Sequence, residues 1–315
     1  MNPSDLAARI ADEVEKVIVG KRPTILLVLT ALAADGHVLL EDVPGVGKTM
    51  LVRALSRALS LETRRLQCTP DLMPQDVTGL HVYSRRDEQF SFQAGPVFTN
   101  LLLADELNRA TPRTQSALLE AMQERQVTVD GETMALPQPF FVLATENPVE
   151  QEGTFPLPEA ELDRFLLRTA IGYPEAEAEE SLVRLHLGAD RLAAVEAVAG
   201  PADIQALQDA ARGIEISAPI LGYLVGLTRG LRQRPGVALG PSPRATLALA
   251  RAAQARALIA GRDFVVPDDI QALAEPVLAH RLMLDASAEL AGTTASEVVA
   301  TALEQTAVPF EGPDR

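Results

Sequence analysis

The stretch from Asp42 to Thr49 contains the residues best suited to bind a phosphate. It reads Asp-Val-Pro-Gly-Val-Gly-Lys-Thr and lies between an apolar run and a segment with helical spacing. Gly45 and Gly47 allow backbone N–H groups to turn toward phosphate oxygens, and a helix beginning at Lys48 adds the positive end of its dipole. In this pattern Lys48 binds the β- and γ-phosphates of a nucleotide and the hydroxyl of Thr49 binds Mg²⁺. Asp42 replaces the usual first glycine, and we expect its carboxylate to point away because it would repel a phosphate.

Two adjacent carboxylates end a second apolar run. Leu101–Ala104 is followed by Asp105 and Glu106. Taken alone, this pattern is often only a strand that runs into a polar loop. Downstream of a phosphate loop it predicts a hydrolytic pair, in which Asp105 holds Mg²⁺ through water and Glu106 polarises the attacking water.

Three further polar side chains lie where elements begin or end. Asn147 follows an apolar run, so its amide could orient the attacking water, although a plain Asn-Pro turn is the alternative. Arg164 precedes the last predicted strand, and its alternative is a surface salt bridge with a helix acid. Arg244 lies in the first turn of a helix that Ser242 can cap. Because a guanidinium is unfavourable beside the positive end of a helix, Arg244 predicts an anionic partner.

The elements that must position these side chains follow an alternating pattern. Apolar runs of strand length alternate with helical segments, which predicts a doubly wound α/β fold with a parallel sheet. The predicted strands are His37–Leu40, Arg65–Cys68, Asn100–Ala104, Phe140–Ala144 and Leu166–Ile171. In such a sheet ligands bind at the carboxyl ends of strands, so Lys48, Asp105 and Asn147 would meet one nucleotide.

Two other features of the pattern define inserts and domains. Alternating stretches flank the turn Ser84–Glu88 and the dipeptide Asp130-Gly131, and they predict two hairpins inserted into the α/β core. Beyond Tyr173-Pro174 the spacing indicates helices only. We therefore expect a nucleotide-binding α/β domain over residues 1–174 and a helical lid domain over residues 175–315.

Composition excludes several classes of protein. The chain has 43 acidic residues against 28 Lys and Arg, a net charge of −15, which argues against a protein that mainly grips phosphate backbones. Its single cysteine, Cys68, excludes an intrachain disulfide, and the four histidines show no metal-ligand spacing. The N-terminal stretch does not resemble a signal peptide, and no apolar run reaches the length of a membrane span. We therefore expect a cytoplasmic protein without an integral membrane segment.

Together these motifs resemble those of AAA+ ATPases of the MoxR family over nearly the whole chain. The matching segments are the Walker A stretch at 42–49, the Walker B stretch at 101–106, the sensor-1 residue Asn147, the arginine-finger segment at 157–165, the sensor-2 segment at 242–245 and the stretch Thr-Pro-Asp-Leu-Met-Pro-Gln-Asp-Val-Thr-Gly at 69–79. The resemblance implies strand order 5-1-4-3-2, a helical lid, a hexameric ring, and ATP with Mg²⁺ as cofactors. Besides Asp42, the chain departs from many relatives at Glu146, where they carry glutamine.

The resemblance also assigns roles to individual residues. Glu106, Asn147, Arg164 and Arg244 would be catalytic, and Thr49 and Asp105 would bind the metal. The residues that would contact the nucleotide are Val19, Gly20, Pro44, Gly45, Val46, Gly47, Lys48, Thr49 and Met50, of which the first two line the adenine pocket.

The implied function is that of an ATP-hydrolysing, chaperone-like remodelling protein. It would act as a homo-oligomeric ring on a partner with a von Willebrand factor type A domain, in the assembly or metal loading of other proteins. One alternative is an ATPase subunit of the magnesium-chelatase type, and another is a nucleic-acid motor. The hairpin Val127–Leu136 disfavours the motor because it contains no Lys or Arg and carries two acids, so we expect no nucleic-acid partner. A non-catalytic scaffold is disfavoured because Glu106, Asn147 and Arg164 are all present.

Overall fold

A computed structural model describes residues 2–43, 45–86, 88–148, 153–177, 179–180 and 191–309. The first part of the chain comprises α1 (Pro3–Glu15), α2 (Arg22–Ala33), β1 (Val38–Glu41), α3 (Lys48–Ala58), β2 (Thr63–Gln67), α4 (Pro74–Thr78), β3 (Gly79–Ser84), β4 (Gln89–Ala94), β5 (Leu101–Asp105), α5 (Pro112–Glu124), β6 (Gln126–Val129), β7 (Glu132–Ala135), β8 (Phe141–Glu146), α6 (Glu159–Leu162) and β9 (Leu167–Thr169).

The central sheet has five parallel strands in the order β2-β5-β8-β1-β9. Every residue of β5 is buried, because its side chains alternate between two apolar clusters, one on each face of the sheet. Leu101 and Leu103 belong to the cluster that includes α1, α2 and α3, and Leu102 and Ala104 to the cluster that includes α5. Counted in chain order, the five strands of this sheet are β1, β2, β5, β8 and β9, so their spatial order corresponds to 5-1-4-3-2. The doubly wound α/β fold and the expected strand order are therefore confirmed.

Two antiparallel hairpins project from this core, as predicted. β3 pairs with β4, and β6 pairs with β7. Asp130 and Gly131 both have positive φ, 51° and 86°, which is the backbone of a tight hairpin turn. His81 Nδ1 lies 2.9 Å from Asp130 Oδ2, so the two hairpins contact each other.

The second part of the chain is mainly helical. It comprises α7 (Pro201–Arg212), α8 (Ala218–Arg232), β10 (Val237–Leu239), α9 (Pro243–Ile259), α10 (Pro267–Leu278), β11 (Met283–Leu284), α11 (Ala286–Leu290) and α12 (Ala295–Gln305). Its apolar side chains join the same cluster as α1, α2 and α3. The expectation of helices only was wrong in one detail, because β10 and β11 form a small antiparallel ribbon. Strands of two and three residues are too short to show an alternating pattern.

No helix in the described part of the chain has the length and hydropathy needed to cross a membrane.

Candidate functional site

The loop between β1 and α3 has the backbone conformation of a phosphate cradle. Gly45 and Gly47 have φ angles of 89° and 97°, in the left-handed region where other residues are strained. No heavy atom of the described residues lies within 4 Å of a Cβ placed on Gly45, and the nearest atom to one placed on Gly47 is Ile18 Cδ1 at 3.8 Å. The glycines are therefore required by backbone conformation, and the space above them is open. Pro44, one of the predicted nucleotide contacts, lies outside the described residues.

Lys48 and Asp42 occupy opposite sides of this loop. Lys48 Nζ donates to the Asp42 carbonyl at 2.8 Å, so the ammonium group is held over the loop. The Asp42 carboxylate points the other way and accepts the backbone N–H groups of Ile171, at 2.5 Å, and Gly172, at 3.1 Å. The expected orientation of Asp42 is therefore observed, and its charge stabilises the segment after β9.

The remaining predicted nucleotide contacts surround the same loop. Val46, Thr49 and Met50 are half-buried, and the first and third pack against the large apolar cluster. Val19 and Gly20 lie after α1 and directly follow Ile18, whose Cδ1 lies 3.8 Å from a Cβ placed on Gly47. The elements expected to contact adenine and phosphates are thus adjacent in the fold.

Thr145 connects the two adjacent carboxylates. Its hydroxyl donates to Asp105 Oδ1 at 2.7 Å and accepts the backbone N–H of Glu106 at 2.8 Å. Glu106 has left-handed backbone angles, φ 57° and ψ 51°, which are uncommon for a residue other than glycine and often mark functional sites. The turn brings the Glu106 side chain out of the strand, while Asp105 stays at the end of β5. Sequence analysis did not assign Thr145 a role, although it stands two residues before Asn147.

Both carboxylates also have partners from neighbouring elements. Arg65 Nη2 lies 2.7 Å from Asp105 Oδ2. Gln67 Nε2 and Arg109 Nη1 each donate to Glu106 Oε2 at 3.1 Å. A metal ion at Asp105 and a water at Glu106 would share these oxygens with the protein donors. Arg65 and Gln67 were missed because β2 lies beside β5 only in the folded sheet.

Asn147 lies between the acid pair and the phosphate loop. It follows β8, which separates β5 from β1 in the sheet, and it is buried. Its carbonyl accepts from Asn108 Nδ2 at 3.4 Å. The sheet order therefore brings Lys48, Glu106 and Asn147 together at the carboxyl ends of the parallel strands, as expected for residues that serve one ligand. This side of the sheet is called its carboxyl edge, and the side where the strands begin is called its amino edge.

A cavity of about 250 Å³ lies beside Asn147 and contains two more carboxylates. Glu146 and Glu41 stand opposite each other in the register of β8 and β1. Burial and, after it, the nearby charge of Glu41 together raise the pKa of Glu146 to about 7, while Arg168 opposes the shift. Arg168 Nη1 is 2.9 Å from Glu41 Oε2, so of the two carboxylates Glu41 has the ion-pair partner.

Arg164 lies at the opposite edge of the sheet. Leu166 N donates to the His37 carbonyl at 2.8 Å, and Leu167 pairs with Val38, so Arg164 stands before the amino ends of β9 and β1. The phosphate loop follows the carboxyl end of β1, and a strand of four residues spans about 13 Å at ~3.3 Å per residue. Arg164 is therefore remote from its own Lys48.

The surroundings of Arg164 do not match the salt-bridge alternative. Its Nη1 donates to the Leu119 carbonyl at 2.8 Å, and its buried Nε has no hydrogen-bond partner. No salt bridge among the described residues includes Arg164. In the part of the chain that the structure describes, the Arg164 guanidinium therefore has no carboxylate partner.

Arg244 lies on the same side of the molecule as Arg164. Ser242 caps α9, since its Oγ accepts from Ala245 N at 3.3 Å. The same Oγ donates to Asp163 Oδ2 at 3.1 Å, and Asp163 is the residue before Arg164. Arg244 is exposed in the first turn of α9. The predicted site residues therefore form two sets, one at the carboxyl edge of the sheet and a pair of arginines at the amino edge.

Comparisons with known proteins show the family to which the chain is similar. A family model described as "ATPase family associated with various cellular activities (AAA)" matches residues 37–167, and one described as an AAA lid domain matches residues 229–302. The chain is 40% identical to Chaperone MoxR1 of Mycobacterium tuberculosis, with 95% of this chain and 83% of that protein covered. It is 38% identical to Protein MoxR of Methylorubrum extorquens, covering 89% and 88% of the two chains.

A solved structure resembles the whole chain. It is the crystal structure of an ATPase candidate from Cytophaga hutchinsonii, with a TM-score of 0.91, 37% identity and coverage of 98% of this chain and 96% of that one. The chain belongs to the MoxR family of AAA+ ATPases.

Proposed function

We propose that this protein is an ATP-hydrolysing chaperone that works as a homo-oligomeric ring, with each active site completed by a neighbouring subunit. The observation that carries the proposal is the separation of the site residues into two edges. Lys48, Glu106 and Asn147 are at the carboxyl edge, whereas Arg164 stands before the amino ends of the same strands. A chain whose finger is remote from its own phosphate loop needs a second copy.

At the carboxyl edge the residues divide the work of hydrolysis. The backbone N–H groups of Gly45 and Gly47, the start of α3 and Lys48 bind the phosphates. Thr49 and Asp105 hold Mg²⁺, which supplies charge neutralisation on the phosphate oxygens when bound. Glu106 accepts a proton from the attacking water, and Asn147 orients that water.

The two arginines act on the nucleotide of the adjacent subunit. The γ-phosphoryl group gathers negative charge as it leaves, and a guanidinium directed at it lowers the barrier by a factor on the order of 10³–10⁵ in rate. Arg164 has no carboxylate partner among the described residues, and Arg244 is exposed in the first turn of α9. We assign both of them to this role in trans. The head-to-tail contact that results closes into a ring, which the family resemblance makes a hexamer.

The proposal extends to domains and partners. The chain is divided into a nucleotide-binding domain, residues 1–174, and a lid domain, residues 175–315. The family resemblance implies a partner protein with a von Willebrand factor type A domain, in the cytoplasm, and work in the assembly or metal loading of other proteins. Support for a protein client comes from the relative named a chaperone. Support against nucleic acid comes from the β6–β7 hairpin, whose acids Asp130 and Glu132 are both more than two thirds exposed.

The test is complementation between two inactive variants. Lys48→Ala removes the ammonium group that faces the phosphates, and Arg164→Ala removes the finger while leaving the chain's own phosphate loop intact. Each variant alone should hydrolyse no ATP above background. In an equal mixture, roughly a quarter of the interfaces would join an intact loop to an intact finger, so part of the activity should return. No return of activity, with co-assembly verified by native mass spectrometry, would contradict the shared site.

A further inference from the structure

Asp163 connects the finger segment to the lid. Its Oδ1 accepts from Arg281 Nε at 2.6 Å, and its Oδ2 accepts from Ser242 Oγ at 3.1 Å. Asp163 directly precedes Arg164, and Ser242 stands two residues before Arg244. One carboxylate therefore joins the backbone segments that carry both arginines.

Arg281 makes this junction rigid. Its side chain is only 3% exposed, although it carries a charge. It donates to the carbonyls of Asp163, Phe165 and Leu166 around the finger, and to that of Val277 on α10. A guanidinium presents its five donors in a fixed planar fork, so these bonds together fix the finger segment relative to the end of α10.

Stability alone is a weak explanation for this arrangement. A buried ion pair often contributes no more to folding than well-packed apolar side chains of the same volume, because both charges must leave water. What apolar side chains cannot supply is a directional contact that fixes Asp163 relative to Ser242. The groups that such a contact would orient are the flanking arginines, since Arg164 Nε has no hydrogen-bond partner within the described residues and Arg244 is exposed.

We propose that Asp163 and Arg281 are positioning residues that hold Arg164 and Arg244 as a pair, so that the lid of one subunit sets the finger that serves the next. This inference rests on the proposed role of both arginines in trans. Its consequence is directional. Loosening Asp163 should impair hydrolysis in the neighbouring subunit and leave the nucleotide site of its own chain intact.

The test places Asp163→Asn in one partner of the complementing pair at a time. When Asp163→Asn is introduced into the Lys48→Ala chain, the altered chain is the one that donates the finger to its Arg164→Ala neighbour. The restored rate should then fall on the order of 10–100-fold, the loss expected for a catalytic group displaced by about 1 Å. When Asp163→Asn is introduced into the Arg164→Ala chain instead, the altered chain supplies only the phosphate loop, and the restored rate should stay within about twofold of that of the original mixture. ATP affinity, measured with a fluorescent analogue, should be the same in both.

Two further variants keep the test decisive. Glu275→Gln removes an exposed charge from α10, the helix that precedes Arg281, and should leave both mixtures unchanged. Ser242→Ala removes one of the two contacts, together with the cap of α9, without stranding a buried charge, and it should show the same asymmetry with a smaller loss. It replaces Asp163→Asn if that variant lowers the melting temperature enough to prevent assembly.

The outcomes are distinct. An equal loss in both mixtures, or no loss in either, would overturn the directional role and leave Asp163 as a structural residue. No activity in the original Lys48→Ala and Arg164→Ala mixture would instead overturn the shared site, and the positioning role with it.

Discussion

Replacing Glu146 with glutamine should make the protein more stable at high pH. Burial and the nearby charge of Glu41 raise the pKa of Glu146 from 4.5 to about 7 in the folded chain. Since the unfolded chain keeps the lower pKa, protonated Glu146 favours folding relative to the charged form. This contribution to the free energy of unfolding is fully present below pH 4.5. It is lost as the pH rises through 7, because the folded chain must then hold a charged carboxylate in the cavity.

The size of the effect follows from the shift. A difference of one pKa unit corresponds to about 1.36 kcal/mol, so Glu146 accounts for up to about 3 kcal/mol, most of it lost between about pH 5 and pH 8. Glutamine has the same shape and no charge, and should abolish this dependence. At pH 8 the Glu146→Gln variant should therefore exceed the wild type in free energy of unfolding by up to about 3 kcal/mol, less whatever burying the amide costs.

Urea denaturation of the variant and the wild type at pH 5 and pH 8 measures the pH dependence of stability and the difference in free energy of unfolding at pH 8. Glu120→Gln is the control, because Glu120 is exposed on α5 and neutralising it should leave the pH dependence of stability unchanged. The reasoning is refuted if Glu146→Gln and the wild type lose stability in parallel between the two pH values, or if the variant is the less stable protein at pH 8.

Two substitutions and one binding measurement probe the site and its surroundings. Thr145→Val removes the hydroxyl that joins Asp105 to the Glu106 backbone, so kcat for ATP should fall on the order of 10–100-fold with unchanged ATP affinity; equal losses in both would contradict an orienting role. Asp42→Asn replaces one of the two acceptors at Ile171 and Gly172 with a donor, and should cost about 1–3 kcal/mol in urea denaturation. Duplex and single-stranded DNA should show no salt-sensitive binding in anisotropy titrations at physiological salt, and submicromolar binding would revive the nucleic-acid motor.

Local signals in the sequence were sufficient for the parts of the site that one segment builds. The phosphate loop needs glycines with positive φ before a helix, and residues 45–48 encode both within a few positions. The Asp130-Gly131 turn likewise needs only its own two residues. The orientation of Asp42 could also be predicted, because electrostatic repulsion permits only one direction.

Contacts between distant segments could not be predicted in the same way. Arg65 and Gln67 reach the acid pair because β2 lies beside β5, and Thr145 does so because β8 lies on the other side. Asp163, Ser242 and Arg281 meet although nearly 120 positions separate the first from the last. Their residue types are ordinary at the surface of any helix, and only the packing of the lid against the finger segment brings them together.

The central claim is that Glu106 is the group that activates water at an ATP site built around Lys48. Glu106→Gln keeps the size and hydrogen bonding of the side chain and removes the base, so ATP with Mg²⁺ should bind with near wild-type affinity. Steady-state hydrolysis should fall by about 10²–10⁴-fold, the contribution of a positioned general base. Phosphate release measured beside nucleotide binding, on the wild type and this one variant, gives both numbers. Hydrolysis within a few-fold of the wild type would contradict the claim.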